Sequence, residues 1–171
     1  MRLFMATWPS AEVRRRLAGI DRPALDGVRW TPPERWHVTL RFLGEVEDPA
    51  PVVEAVAAAV RPLAPPTAVL GDRVERLGPV AVVPVAGLDD LASAVIDATA
   101  HLGQPPDHTF VGHVTMARAR GRARLPAGAL GGPVGGTEEQ RTWTVDHVDL
   151  VHSTHGPDHR YEILATVPLG P

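Results

Sequence analysis

The sequence contains neither cysteine nor lysine. Without cysteine there is no disulfide framework and no thiolate nucleophile, and a zinc site would need histidine and carboxylate ligands. All the basic charge is carried by arginine, whose planar fork suits phosphate better than an ammonium does, although composition alone can produce this bias. The missing cysteines are compatible with a reducing compartment, and we expect a cytoplasmic protein.

Long hydrophobic runs are also missing. The best apolar stretch, residues 80–88, is interrupted by Pro84 and has about half the length of a membrane span. The opening "MRLFMATWPS" has no long apolar core and no small-residue cleavage site, and it is typical of a first strand rather than of a signal peptide. The sequence therefore predicts neither a membrane helix nor a membrane partner.

The overall charge is low and of the wrong sign for nonspecific nucleic-acid binding. A formal net charge of −3 argues against attraction by bulk electrostatics, so an anion site has to be local. The chain has 171 residues, 44% of them hydrophobic, which is enough for one compact domain or for two small lobes that share a core.

Hydrophobic patterning predicts more strands than helices. Strands are expected at residues 2–7, 28–30, 36–43, 68–77, 80–86, 110–120, 142–151 and 161–167. Helices are expected after Ser10, after Asp48 and from Leu88 to Leu102. Because strands and helices do not alternate strictly, the pattern favours an α+β fold with antiparallel sheet over a doubly wound parallel sheet.

The main feature of the sequence is a repeated motif. "HVTL" at 37–40 returns as "HVTM" at 113–116, which indicates two similar lobes. In a strand, His37, Thr39 and Arg41 share one face, and His113 and Thr115 share the corresponding face of the second strand. Side chains two positions apart lie roughly 6–7 Å from each other, so an imidazole and a hydroxyl can reach different oxygens of one small anion such as a phosphate.

Two histidines on facing lobes would suit phosphoryl transfer. The nucleophile and the leaving oxygen lie roughly in line at phosphorus, so an acid and a base are needed on opposite sides, about 7–9 Å apart. Histidine fits both roles because its pKa is near 6.5, and the threonines would donate to the non-bridging oxygens. No metal or cofactor is required. The alternative is that each histidine and threonine form an ordinary hydrogen-bonded surface pair.

At these residues the chain resembles the 2H phosphoesterase superfamily, and specifically its RNA 2′,3′-cyclic phosphodiesterase branch, also called 2′-5′ RNA ligase or LigT-like. The resemblance spans nearly the whole chain and includes "MRLFMA", "VRWTPPERWHVTLRFLGEV", "HVTMARAR" and "RYEILATVPLG". It implies one bilobal, pseudo-twofold α+β domain over residues 1–171, with two mainly antiparallel sheets flanking a cleft and helices outside.

The resemblance also implies an activity and roles for residues. The activity is metal-independent opening of a 2′,3′-cyclic phosphate at an RNA end to a 2′-phosphate, with reverse 2′-5′ ligation by the same groups. His37 would be the proton donor, His113 the proton acceptor, and Thr39 and Thr115 phosphate ligands. One departure from the family is Gly112, which stands where proline usually precedes the second histidine.

Several arginines are weaker candidates for substrate binding. The resemblance suggests Arg118 as a phosphate ligand, although strict alternation places it opposite His113 unless a bulge intervenes. Arg120, Arg122 and Arg124 alternate with it and are expected mainly in solvent. For Arg41 the choice is between substrate contact and a salt bridge at the rim.

The remaining candidates are histidines and aromatic residues near the C-terminus and the first motif. His152, His155 and His159 have a spacing that a metal could use, but Gly156-Pro157 favours a solvated loop. Trp36 and Tyr161 could stack on a base, and core packing is the preferred interpretation for both.

The sequence thus predicts a cofactor-free enzyme acting on RNA 3′ ends or small cyclic nucleotides, with no protein partner implied. The alternatives are a module that binds RNA ends with little turnover, a phosphodiesterase for 2′-5′ oligonucleotides, and a histidine-rich metal-binding protein.

Overall fold

The structure is a computed structural model that describes residues 1–125, 130–154 and 159–170. Ten strands, three α-helices and two short 3₁₀ turns make up the described part of the chain. The strands are β1 (Arg2–Thr7), β2 (Val28–Trp30), β3 (Val38–Glu45), β4 (Thr67–Leu70), β5 (Glu75–Leu77), β6 (Val80–Ala86), β7 (His113–Ala119), β8 (Thr142–Thr144), β9 (His147–Ser153) and β10 (Tyr161–Pro168). The α-helices are α1 (Ala11–Ala18), α2 (Ala50–Val60) and α3 (Asp89–Ala98), and the 3₁₀ turns are Pro33–Arg35 and Glu139–Arg141.

All the strands named above pair antiparallel. They form two halves of one sheet, which are joined edge to edge. The order is β10-β9-β1-β3-β7-β6-β4-β8, with β2 beside β7 and β5 beside β6. The two halves, β10-β9-β1-β3 and β7-β6-β4-β8, meet at the single residue pair Val38–Val114 between β3 and β7. The expected α+β fold with antiparallel sheet is confirmed, and its two sheets are continuous through this one pair.

The two strands that carry the repeated motif bury their valines and expose their polar residues. Val38 and Val114 have no exposed surface and belong to the main hydrophobic core, together with Val52, Val56 and Val60 of α2. Val52, Val56 and Val60 recur at a helical spacing of four, so α2 presents one apolar stripe to the sheet. The helix packing therefore lies on the face of the sheet opposite to the motif histidines and threonines.

Local sequence signals explain how α1 and α2 begin. The Ser10 side chain accepts a hydrogen bond from the backbone N–H of Val13 at 3.3 Å and caps α1. Asp48 accepts from the backbone N–H of Ala50 at 3.0 Å at the start of α2. Both helices begin where the sequence predicts.

Two predicted strands are wrong in extent. The strand expected at 68–77 is divided into β4 and β5, because the chain leaves its pairing with β6 between Gly71 and Glu75, where Arg73 forms an isolated bridge with Pro133 instead. The strand expected at 142–151 is divided into β8, which pairs with β4, and β9, which pairs with β1 and β10. The chain crosses from one half of the sheet to the other between them, and strand propensity carries no signal for such a crossing.

Candidate active site

The pairing of β3 with β7 brings the two motifs together. In an antiparallel pair with Val38 opposite Val114, His37 lies across from Thr115 and Thr39 across from His113. A local twofold relation therefore places the histidines on one diagonal. Ideal strand geometry puts the Cα atoms of such diagonal residues about 8 Å apart. All four side chains line one cleft of about 740 Å³.

Each histidine is oriented by a backbone carbonyl two residues earlier in the chain. His37 Nδ1 donates to the carbonyl of Arg35 at 2.6 Å, and His113 Nδ1 donates to that of Val111 at 2.6 Å. Because a carbonyl only accepts, the proton of each neutral ring resides on Nδ1 and Nε2 carries the lone pair. In His37, Nε2 accepts from the Thr39 hydroxyl at 3.0 Å.

The two histidines differ in their surroundings. The His37 ring packs against Phe4, Trp8 and Tyr161, with ring centroids 5.1, 5.5 and 5.3 Å away. This burial lowers the pKa of His37 to about 4; the bond to the Arg35 carbonyl opposes the shift, and the nearby His113 adds to it. Burial also lowers the pKa of His113, while its bond to Val111 opposes that shift.

A β-bulge follows the threonine in both motif strands and changes which residue faces the cleft. In β3 the pairing with β1 skips Leu40, and in β7 the pairing with β6 skips Met116. The extra residue reverses the alternation. Phe42 of β3 and Arg118 of β7 consequently line the cleft at equivalent positions.

The first bulge makes the predicted placement of Arg41 wrong. Arg41 does not share the face of His37: its side chain is buried, and its guanidinium donates to the carbonyls of Phe42 and Gln104. The structure therefore brings together His37, Thr39, His113, Thr115 and Arg118, and it leaves Arg41 outside the group.

The cleft is strongly basic although the chain is acidic overall. Arginines from both halves line it, and the described lining residues include no Asp or Glu. These arginines are Arg2, Arg29, Arg35, Arg118 and Arg120. Burial raises the pKa of the Tyr161 hydroxyl, whereas the charges of Arg35, Arg118 and Arg2 lower it, so positive charge converges on this wall from both halves.

The C-terminal histidines have separate positions. His159 lines the cleft, where its Nδ1 accepts from Arg35 Nη1 at 2.9 Å and its Nε2 lies 2.8 Å from Ser153 Oγ. His152 Nδ1 lies 3.8 Å from a Glu162 carboxylate oxygen instead, and His155 falls outside the described residues. Among the residues that the structure describes, no three His, Cys, Asp or Glu side chains form a potential metal site.

Two aromatic predictions have different outcomes. Trp36 is 1% exposed and belongs to the core, as expected. Tyr161, for which core packing was also preferred, lines the cleft and makes an edge-on contact with His37. Tyr161 is brought to the site because β10, on which it lies, pairs with β9. The local sequence does not encode this pairing.

Comparison with known proteins agrees with this geometry. The family model "LigT like Phosphoesterase" matches residues 8–78. An RNA 2′,3′-cyclic phosphodiesterase of Geobacillus stearothermophilus is 32% identical over 166 residues, covering 90% of this chain and 52% of that protein. The crystal structure of TT0787 of Thermus thermophilus is similar over 99% of this chain and 98% of its own, with a TM-score of 0.79 and 28% identity.

These comparisons show that residues 8–78 are similar to LigT-like phosphoesterases and that the chain shares the fold of TT0787. The chain spans about half the length of the curated relative it matches. The crystal structure of E. coli LigT complexed with 3′-AMP has the same fold, with a TM-score of 0.70 and 24% identity over 99% of this chain and 98% of that one. No helix among the described residues is long and apolar enough to cross a membrane.

Proposed function

We propose that the chain hydrolyses 2′,3′-cyclic phosphates at RNA 3′ ends or on small nucleotides, and that it leaves a 2′-phosphate. The observation that carries the proposal is the diagonal placement of His37 and His113 in one basic cleft, with a threonine beside each. In-line displacement at phosphorus needs an acid and a base on opposite sides of the reacting group, and this arrangement supplies both.

The reaction needs two proton transfers. His113 Nε2 takes a proton from water as the water oxygen bonds to phosphorus, and His37 Nε2 gives a proton to the 3′ oxygen as the P–O3′ bond breaks. The products are a 2′-phosphate and a 3′ hydroxyl. The Thr39 and Thr115 hydroxyls and the Arg118 guanidinium stabilise the non-bridging oxygens, which carry the developing charge.

The environment of each histidine fits its proposed role. His113 has the lone pair of Nε2 available near neutral pH, because burial lowers its pKa. His37 is also neutral in the free protein, with a pKa of about 4. The bound cyclic phosphate carries a negative charge that raises the pKa of His37, so the acid becomes protonated only when substrate is present. When the rates are plotted against pH, the alkaline decrease of kcat should therefore occur at a higher pH than the alkaline decrease of kcat/KM.

The proposed chemistry uses no metal, since imidazoles move the protons and cationic side chains bind the phosphate. The same groups would serve 2′-5′ ligation, in which a 5′ hydroxyl replaces water as the nucleophile. In the opposite direction, cleavage of a 2′-5′ bond, the two roles exchange: His37 accepts a proton from the attacking 3′ hydroxyl, and His113 donates one to the departing 5′ oxygen.

The test is hydrolysis of a 2′,3′-cyclic-phosphate dinucleotide in excess EDTA, with the product isomer identified by ³¹P NMR. We expect a 2′-phosphate and unchanged turnover on chelation. Loss of activity that zinc or magnesium restores would contradict the metal-independent mechanism. Binding without turnover would indicate an RNA-end-binding module, and cleavage only of 2′-5′-linked oligonucleotides would change the substrate class.

A further inference from the structure

Three arginines converge at one end of the cleft. Arg29 on β2 lies directly opposite Arg118 on β7 in the antiparallel register. Arg120 follows the end of β7, and its backbone N–H donates to the Gly27 carbonyl at 2.8 Å, so the pairing continues beyond the strand. All three side chains line the cleft and are exposed.

This cluster is not neutralised within the described part of the chain. Like charges directly opposite each other on neighbouring strands are destabilising. No described residue forms an ion pair or a side-chain hydrogen bond with Arg29, Arg118 or Arg120. By contrast, Arg35 on the other side of the cleft donates to His159, and the Arg2 guanidinium lies 4.8 Å from the centre of the Phe42 ring.

The cluster carries more charge than the reacting group requires. A cyclic phosphate diester has one negative charge, for which Arg118 and the two threonines are sufficient ligands. Arg29 and Arg120 are then not needed to bind the reacting phosphate. Alternate residues of a strand are about 7 Å apart, so Arg118 and Arg120 can bind two separate phosphates.

We propose that Arg29 and Arg120 form a subsite for a second phosphate, the one esterified to the 5′ oxygen of the nucleotide that carries the cyclic phosphate. The subsite selects an oligonucleotide end, or a 5′-phosphorylated nucleotide, over an unphosphorylated nucleoside cyclic phosphate. This inference rests on the proposed function, because it takes the cyclic phosphate to lie between the two histidines.

The chain contains a matched control for this cluster. Arg122 and Arg124 continue the same alternation of arginines, and both are exposed, but neither lines the cleft. Replacing them removes the same amount of positive charge without touching the proposed subsite.

The experiment compares adenosine 2′,3′-cyclic phosphate with its 5′-phosphorylated form. In the unmodified protein we expect the 5′-phosphate to raise kcat/KM by about tenfold, the effect of one charged hydrogen-bonded contact. In Arg29→Gln/Arg120→Gln this advantage should fall to about twofold or less. In Arg122→Gln/Arg124→Gln it should persist, and thermal melting of both variants checks that they are folded.

Two results would overturn the subsite. One is a wild-type protein that does not distinguish the two substrates. The other is an Arg29→Gln/Arg120→Gln variant that loses activity on both substrates equally, which would assign these arginines to the reacting phosphate.

A binding measurement separates failure of the subsite from failure of the proposed reaction. If neither substrate is hydrolysed, calorimetry compares adenosine 3′,5′-bisphosphate with adenosine 3′-monophosphate. Tighter binding of the bisphosphate that depends on Arg29 and Arg120 supports the subsite in the absence of turnover, and equal affinities overturn it.

Discussion

The two motif strands have the same backbone design but different surroundings. In each, a carbonyl two residues earlier orients the histidine, a valine enters the core, and a bulge follows the threonine. The position after the bulge is Phe42 in the first half and Arg118 in the second, and only His37 packs among aromatic rings. In the proposed mechanism, near-identical local geometry serves two different roles, because the environment of each imidazole sets its proton affinity.

Removing either histidine should have the largest effect. His37→Ala and His113→Ala should each lower kcat by about 10²–10⁴, and the double variant should lose less than the product of the two, because acid and base act on one step. Steady-state kinetics on a cyclic-phosphate dinucleotide measures this. His101→Ala, at an exposed position that does not line the cleft, is the control. Near-normal turnover of either cleft variant would remove its acid–base role.

The aromatic surroundings of His37 should make stability depend on pH. Its pKa is about 4 in the folded chain and near 6.5 when unfolded, so between these values the unfolded chain binds more protons. The contribution of His37 to the free energy of unfolding should therefore be fully present above pH 6.5, and it should decrease by about 3 kcal/mol as the pH drops to 4.

The measurement is urea unfolding from pH 7 to pH 4 of the wild type and of His37→Gln, in which residue 37 no longer titrates. The difference in free energy of unfolding between the two proteins should change by most of the loss expected for His37 between pH 7 and pH 4. A constant difference would show that His37 keeps an ordinary pKa in the folded state.

Replacing Arg118 tests the other difference between the strands. Arg118→Gln should lower kcat/KM by about 10²-fold, because it removes a cationic ligand of the transition state. Kinetics at fixed ionic strength measures the loss, with Arg122→Gln as the control of equal charge. If the two variants behave alike, Arg118 acts only through the general potential of the cleft.

Gly112 should tolerate a side chain less well than a glycine in open space, such as Gly132. A Cβ at this position would lie 2.3 Å from the Val85 carbonyl oxygen, and the Val85 N–H donates to the Gly112 carbonyl at 2.8 Å, which pairs β6 with the chain entering β7. Gly112→Ala should cost about 1–3 kcal/mol of stability and displace His113. Gly132→Ala, where a Cβ meets nothing within 4 Å, is the matched control for thermal melting. Equal melting temperatures for both variants would contradict the steric argument.

The sequence placed the motif side chains better than it placed the wall of the cleft. The motif histidines and threonines could be found because the repeat places them in strands with apolar residues between them. Alternation alone misplaced Arg41 and left Arg118 undecided, since a bulge changes the facing of every later side chain without altering composition.

The sequence did not place residues from distant strands in the cleft, for another reason. Arg29, Phe4 and Tyr161 reach the cleft through the pairing of β2, β1 and β10 with partners remote in sequence. Arg29 had one usable signal, its position beside Trp30 just before the first motif. For the other two, the decisive contacts are tertiary and leave no periodic pattern.

The single pair Val38–Val114 also affects how fast the chain folds. It joins strands that are far apart along the chain, and contacts of that kind require closure of a long loop, which slows folding. A chain that has formed only one half contains a histidine and a threonine but no opposing partner for proton transfer. Recovery of turnover after dilution from denaturant should therefore lag behind recovery of secondary structure.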